Sequence, residues 1–119
     1  MNLDKVKFVF PDFQIQDFNM FDKIMFLKWE TTVGNDFGKE HTNLVLELTC
    51  PDKYKSLIEF IDVNSWRFHG NGQILGFYIK DNTPKGYENN VKYEVGNYEE
   101  KKIEFYCSDI VINSLEKMI

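Results

Sequence analysis

The feature of the sequence that most constrains the fold is a strict two-residue alternation over residues 91–112. Apolar side chains alternate with polar ones in both halves of this stretch: Val91, Tyr93 and Val95, then Ile103, Phe105 and Cys107. A period of two places the apolar side chains of a strand on one face and the polar ones on the other. Gly96, Asn97 and the charged run at residues 99–102 lie between the halves and predict a turn. The stretch therefore predicts a β-hairpin with one buried face.

Similar patterns recur along the chain and predict eight strands in all. Besides the two of the hairpin, the predicted strands cover residues 6–10, 13–18, 23–32, 43–50, 56–63 and 73–80. The chain contains no Ala but 11 Phe, a composition that favours pleated sheets over helices. Short strands separated by turn residues predict a mainly β fold, an antiparallel β-sandwich or flattened barrel with at most short helical turns. We expect one domain over residues 1–119.

Several segments carry more specific expectations. Residues 24–27 are apolar without interruption, which predicts a strand covered on both faces, and Trp29 is expected in the core. The alternation slips within residues 56–63, which a β-bulge or a short helix would explain. It changes again at Ser108 and Asp109, where we expect a bulge or a corner. Residues 33–42 and 81–90 are rich in turn residues and predict loops, and residues 113–119 are expected to form a helical turn.

The acidic net charge of the chain argues against a nucleic-acid partner and allows a basic protein partner. Its net charge is −5 and it contains a single Arg, whereas phosphate contacts need clustered Lys and Arg, so we expect no nucleic-acid partner. An acidic balance fits plain solubility or a basic protein partner. The chain has no apolar run of the roughly 18–20 residues that a membrane span needs, and its first ten residues lack the apolar core of a signal peptide. We therefore expect a cytoplasmic protein without membrane association.

Two cysteines each follow an alternating apolar strand. In a cytoplasmic protein Cys50 and Cys107 are expected to be reduced and buried as small hydrophobic residues. A disulfide and a reactive thiol are the alternatives.

The sequence contains no pattern typical of catalysis or of metal binding. The glycines at 70, 72 and 76 approach a dinucleotide-binding spacing, but a predicted strand follows them instead of the required helix, so a turn is expected. His41 and His69 are the only histidines and lie in no metal-ligand spacing; His41 is expected to be solvated in a loop. No CxxC, GxSxG or close Cys/His pair is present. We predict no metal, no cofactor and no enzymatic activity.

The most unusual local composition is SWRFHG, within a predicted irregular loop at residues 64–71. Trp and Arg are the residue types that most often anchor protein interfaces. We therefore predict a partner-binding set from this loop and from an acidic face: Trp66, Arg67, His69, Glu94, Glu99, Glu100 and Glu104. The alternative is structural, with Trp66 and Phe68 plugging one end of the sandwich while Arg67 pairs with a carboxylate.

Three segments also suggest a family: FQIQDF at residues 13–18, IEFIDVN at residues 58–64 followed by Arg67 and Phe68, and IEFYC at residues 103–107. In these segments the chain resembles small bacterial immunity proteins of polymorphic toxin systems, especially the group called immunity protein 50. The resemblance implies a cytosolic, non-enzymatic protein that binds and neutralises a cognate toxin by direct contact. It assigns no functional residues. A small-molecule or carbohydrate-binding β domain with an aromatic groove is the second hypothesis, and an enzyme of unknown type is the third.

Overall fold

The structure, a computed structural model, describes residues 1–33, 38, 40–51, 53–86 and 91–118, and all of their side chains except that of Lys85. In chain order the elements are helix α1 (Asp4–Val9), a 3₁₀ helix (Ile15–Met20), β1 (Lys23–Val33), β2 (Glu40–Cys50), β3 (Tyr54–Ile61), β4 (Asn64–Phe68), β5 (Phe77–Asp81), a 3₁₀ turn (Thr83–Lys85), β6 (Tyr93–Asn97), β7 (Ile103–Cys107) and β8 (Asp109–Lys117). The strands form two antiparallel sheets, sheet A with the order β1-β2-β3-β8 and sheet B with the order β4-β7-β6-β5. The predicted mainly β, antiparallel sandwich is confirmed.

The two sheets are connected by one bent ribbon of paired strands. β3 pairs with β8 in sheet A, and their direct continuations β4 and β7 pair in sheet B. At the bend Asp62 adopts a positive φ of 54°, and the Ser108 amide donates a hydrogen bond of 2.9 Å to the carbonyl of Ile61. The Ser108 hydroxyl also lies 3.2 Å from the Asp62 carboxylate. The corner predicted at Ser108 and Asp109 is confirmed.

The core lies between the inner faces of the two sheets. Its largest buried side chains include Phe18, Phe21, Leu44, Leu46, Leu48, Ile58, Phe60, Ile74, Phe77, Ile103, Phe105 and Ile110. Phe60 of sheet A meets Phe105 of sheet B edge to face, with ring centroids 5.0 Å apart. β3 directs Ser56, Ile58 and Phe60 inward in regular alternation, so the β-bulge expected within residues 56–63 does not lie in β3. The register of its pairing with β8 shifts after Leu57, where β8 carries one extra residue, Asn113.

The first two predicted strands are wrong, because residues 6–10 and 13–18 lie in or beside helices. Their alternation predicted a common face for every second residue, but α1 buries Val6 and leaves Phe8 91% exposed, since these two residues point to different sides of a helix. α1 packs against β8, where the Lys5 ammonium donates to the Asn113 carbonyl at 3.1 Å, and the 3₁₀ helix packs against β5. Both helices therefore cover edge strands, whose unpaired backbone would otherwise be exposed.

Two segments predicted to be irregular or helical are strands. Residues 64–68 form β4, and β8 continues through Lys117 where a helical turn was expected, because each finds a strand to pair with. The strand predicted over residues 73–80 begins only at Phe77, so Leu75 lies in a turn and is exposed. Gly96 and Asn97, predicted in the hairpin turn, belong to β6. Of the predicted loop at residues 33–42 the structure describes residues 33, 38 and 40–42, and all of these except residue 38 belong to β1 or β2. Of the predicted loop at residues 81–90 it describes residues 81–86, which contain the end of β5 and the 3₁₀ turn.

β1 is also exposed where burial was predicted. It is an edge strand, and of its apolar side chains only Ile24 is buried, so the prediction of cover on both faces is wrong. β1 begins with a bridge to Gln73, which leads into β5, and passes Trp66 of β4 at Trp29. The start of β1 therefore lies near the segment that precedes β5, and Trp29 lies beside β4, at the opposite edge of sheet B. For this reason Trp29 is 45% exposed and not a core residue.

Both cysteines are free, with Cys107 buried between the sheets and Cys50 half-buried. The predicted burial is confirmed for Cys107 and holds only partly for Cys50. Burial raises the pKa of the Cys107 thiol to about 12. At pH 8 Cys107 is therefore fully protonated, whereas only a thiolate attacks a disulfide reagent.

We expect Ellman's reagent at pH 8 to modify Cys50 in the native protein and Cys107 only after unfolding. Absorbance measured with and without denaturant would count one thiol and then two. A Cys50→Ser variant should lose the native-state reaction. A native Cys50→Ser protein that reacts as fast as free cysteine would contradict the buried position of Cys107.

Candidate functional site

The outer face of sheet B carries an ordered surface of polar and aromatic side chains. The strand pairing aligns them in two rows across β4, β7, β6 and β5: Arg67, Glu104, Gly96 and Tyr78 in one, and Asn64, Tyr106, Glu94 and Lys80 in the other. Tyr98, just after β6, stacks on Tyr78 with ring centroids 4.5 Å apart. We call these nine residues the tyrosine face. Their neighbours in sequence, such as Ile79, Val95 and Phe105, point into the core.

Gly96 shapes this face by leaving room for Tyr78. A Cβ atom at Gly96 would lie 2.7 Å from the Tyr78 hydroxyl oxygen and 3.0 Å from its Cζ, closer than such atoms approach. The tyrosine ring therefore lies over the glycine backbone and its hydroxyl donates a 2.7 Å hydrogen bond to Glu94 Oε2. An aromatic side chain that covers a strand glycine is a recurrent cross-strand device.

Glu94 joins the side chains around it into one network. It accepts hydrogen bonds from Tyr78 and, at 3.5 Å, from Tyr106, and its Oε2 lies 3.8 Å from the Lys80 ammonium. The same ammonium lies 5.0 Å from the centroid of the Tyr78 ring and 5.8 Å from that of Tyr98, within the range of cation–π attraction. Glu94, Tyr78 and Lys80 are thus each held by at least two neighbours.

The environment of Tyr78 keeps its phenol protonated. Burial raises the pKa of Tyr78 well above its ordinary value of 10, and the hydrogen bond to the Glu94 carboxylate raises it further. Both effects act against a phenolate, the first by removing water and the second by placing a negative charge beside the oxygen.

The structure brings three of the seven predicted partner-binding residues to the outer face of sheet B. Arg67, Glu94 and Glu104 lie on the tyrosine face, with Arg67 directly opposite Glu104. Among the described residues Arg67 forms no ion pair within 4.0 Å, so the predicted pairing with a carboxylate is absent there. His69 follows β4 with an exposed side chain, and its amide donates to the Lys102 carbonyl at 2.9 Å.

Glu99 and Glu100 lie in the turn between β6 and β7, which a buried asparagine organises. The side-chain nitrogen of Asn97 donates hydrogen bonds to the backbone carbonyls of Leu75 and Glu99, at 3.1 and 2.6 Å. Its side-chain oxygen accepts a hydrogen bond of 2.9 Å from the backbone N–H of Ile103. Glu100 adopts a positive φ of 61° and pairs with Lys102 at 3.4 Å. The turn is therefore fixed by a side chain inside the sheet.

Charges of both signs alternate over this side of the molecule. Three of the four carboxylates predicted as an acidic face have a cationic side chain beside them: Glu104 lies opposite Arg67, Glu94 pairs with Lys80, and Glu100 pairs with Lys102. The surface is thus mixed in charge and not an acidic face.

Trp66 is predicted to bind a partner but points the opposite way from Arg67. Its ring lies 5.4 Å from that of Phe105, stacks on Phe68 at 5.9 Å and meets Trp29 at 5.3 Å. Trp66 and Phe68 therefore pack between the sheets at the β4 edge, which is the arrangement of the structural alternative.

Sequence reasoning missed the tyrosines and misplaced His41. Tyr78, Tyr98 and Tyr106 were not selected, although the alternation already assigned Tyr106 to the polar face of its strand. His41 lies on β2, not in a solvated loop, and its Nδ1 is 2.8 Å from the Asp62 carboxylate at the bend.

Comparisons with protein-family models, with curated proteins and with solved structures found no match. Within the described part of the chain, no helix is long and apolar enough to cross a membrane, and no three His, Cys, Asp or Glu residues cluster as metal ligands. The resemblance to immunity proteins therefore stays a prediction.

The raised pKa of Tyr78 predicts a loss of stability in alkali. Above pH 10 an unfolded tyrosine releases its proton while folded Tyr78 retains it, so unfolding becomes more favourable as the pH rises. We expect Tyr78→Phe to reduce the slope of the unfolding free energy against pH above 10, as measured by urea denaturation. The pKa of Tyr93 is also raised by burial, so part of the slope will remain. An unchanged slope would contradict the environment assigned to Tyr78.

Neighbouring substitutions on β4 should separate its two faces. Trp66→Ala removes contacts with three aromatic rings and should cost about 3 kcal/mol, the low end for large aromatic side chains, because Trp66 is only half-buried. Arg67→Ala removes an exposed side chain and should change stability by less than about 0.5 kcal/mol. Urea denaturation measures both, and equal losses would show that the two faces of β4 are not distinct.

Proposed function

We propose that the chain is a non-enzymatic protein-binding module, an immunity protein that neutralises a bacterial toxin by direct contact through the tyrosine face. One observation carries the proposal: an exposed sheet face holds three tyrosines and the only arginine of the chain in a defined arrangement. Tyrosine and arginine are enriched where proteins bind one another.

The order of the tyrosine face supports binding with little loss of conformational freedom. Tyr78 is fixed by Gly96, Glu94 and the Tyr98 ring, and Lys80 is held by Glu94 and both rings. Side chains that are already ordered lose less entropy when a partner covers them. Tyr98, 61% exposed, offers the largest free aromatic area of the face.

Arg67 supplies a charge that a partner can neutralise. It is exposed, lies opposite Glu104 and makes no ion pair among the described residues, so its guanidinium is available to a carboxylate of another protein. The mixed charges around it favour a partner surface with a complementary pattern, while the net charge of −5 favours approach by a basic one.

The second hypothesis, a carbohydrate-binding domain, would use the stacked rings of Tyr78 and Tyr98. The exposed area of Tyr98 is compatible with such a ligand. The Lys80 ammonium lies over both rings, however, and leaves less of their surface open to a sugar. Protein binding is therefore the function that the arrangement supports best.

Substitutions on the tyrosine face should weaken toxin binding without unfolding the protein. If a gene beside the one for this chain encodes a secreted toxin, Arg67→Ala or Tyr98→Ala should cost about 2 kcal/mol of binding to that toxin domain, roughly 30-fold in affinity. Surface plasmon resonance measures the affinity. Glu116→Ala, an exposed residue of sheet A, is the control and should have no effect. Unchanged affinity for both variants would reject the tyrosine face, and binding of a sugar in place of any protein would favour the second hypothesis.

Reversing one charge at the edge of this face should slow association with a basic toxin. Glu99→Lys suits this test because Glu99 is exposed, whereas Glu100 already pairs with Lys102. Charges at an interface rim act mainly on the association rate, and salt screens them. Glu116→Lys makes the same change of net charge on the other sheet and should slow association less. Equal rates for the two variants would show that only the net charge matters.

A further inference from the structure

β1 is a long edge strand whose outer side lacks a partner. After its bridge from Lys23 to Gln73, no described strand pairs with β1 on the side away from β2. An unpaired edge presents N–H and C=O groups that can bind another strand.

The side chains of β1 also lack cover. Its exposed apolar residues are Met25, Phe26, Leu27, Trp29 and Val33. Leu27 pairs with Leu46 and Trp29 with Leu44, and both leucines of β2 are fully buried. Leu27 and Trp29 therefore lie on the same face of sheet A as the core residues but are exposed to solvent. Exposed apolar patches of this kind mark contact surfaces.

The other three sheet edges are protected. β8 is covered by α1 and β5 by the 3₁₀ helix. β4 has only five residues, and its register shifts between Asn64 and Arg67, where Ser65 adopts a positive φ of 54°. Short length and bulges are devices that prevent an edge from pairing. Among the described elements no helix covers β1, which has 11 residues and no bulge beyond Phe26.

The charges on β1 identify the strand that fits this edge. Lys28 and Glu30 are exposed, lie on the outer face of sheet A and are 3.7 Å apart. If a second β1 pairs antiparallel about a two-fold axis at Trp29, Lys28 of each copy stands opposite Glu30 of the other. Opposite charges in such cross-strand pairs stabilise a sheet. The pattern is thus complementary to itself.

The same charges disfavour the neighbouring registers. Directly opposed residues in an antiparallel pair point to the same face of the sheet. The two-fold axis must therefore pass through a residue of β1, and the nearest alternatives to an axis at Trp29 are axes at Lys28 and at Glu30. An axis at Lys28 places that lysine against its own copy, and an axis at Glu30 does the same with the glutamate. Like charges directly opposite each other are destabilising.

We propose that the chain forms a symmetric dimer in which the β1 strands of two copies pair antiparallel about Trp29 and join two sheets A into one continuous sheet. The contact is isologous, as in most homodimers. It pairs the open backbone and brings the exposed side chains of β1 beside those of the second copy. It uses no residue of the tyrosine face, so it is independent of the proposed function.

Sedimentation equilibrium tests the dimer. The wild-type protein should have twice the 14.2 kDa mass of one chain at micromolar concentration. Lys28→Glu or Glu30→Lys alone places like charges opposite each other at two positions of the interface and should raise the dissociation constant at least about tenfold. Lys55→Glu is the matched control, because Lys55 also belongs to an exposed ion pair on sheet A, with Glu116 at 3.6 Å, and it should leave the mass unchanged.

Restoring the complementarity should restore the dimer. The double variant Lys28→Glu/Glu30→Lys keeps opposite charges face to face and should dimerise like the wild type. An equimolar mixture of the two single variants should form a heterodimer, because every opposed pair in it has opposite signs. A monomeric wild-type protein at sub-millimolar concentration would overturn the proposal even if a variant failed to fold. Single variants that remain as dimeric as the wild type would also overturn it, since another surface would then form the contact.

Discussion

The bend at Asp62 and Ser108 is the interaction on which the rest of the structure depends. Through it a paired ribbon leaves sheet A and enters sheet B, so the core forms between two sheets connected by the same strands. The Asp62 carboxylate contacts the Ser108 hydroxyl from the second strand of the ribbon and the His41 ring from β2. Asp62 thus connects the end of β3 with β2 and with the segment between β7 and β8. The bend also turns the outer face of sheet B away from sheet A, which leaves the tyrosine face exposed.

The two sheets do not close into a barrel, so each has two edge strands: β1 and β8 in sheet A, β4 and β5 in sheet B. These four edges differ in what covers them. The N-terminal helices lie against β8 and β5, although their sequences alternate like strands. β1 instead passes from the segment before β5 to the edge strand β4 between Lys23 and Trp29, and it has 11 residues in all. The contact between Trp29 and Trp66 marks the place where the two sheets part. The side chains of β1 are exposed because it is an edge strand.

The elements predicted well from sequence are the strands with neighbours on both sides. In β2, β3, β6 and β7 the alternation reflects burial against the other sheet, and it identified inward residues such as Leu46 and Phe105. The predictions failed at the edges, in residues 6–10 and 13–18, in β4 and at the end of β8. Alternation indicates which face is buried but not which strand lies alongside, and at an edge the neighbouring strand decides between helix, loop and sheet.

The tyrosine face could be predicted only in part for a related reason. Arg67, Glu94 and Glu104 were selected by residue type, but their meeting depends on the register between strands distant in sequence. Gly96 was the available clue, because a glycine within a strand often marks a close approach. The two surfaces therefore differ physically. The polar groups of the tyrosine face largely satisfy one another, so the face is stable in water, whereas β1 exposes apolar side chains and an unpaired backbone that another strand could cover.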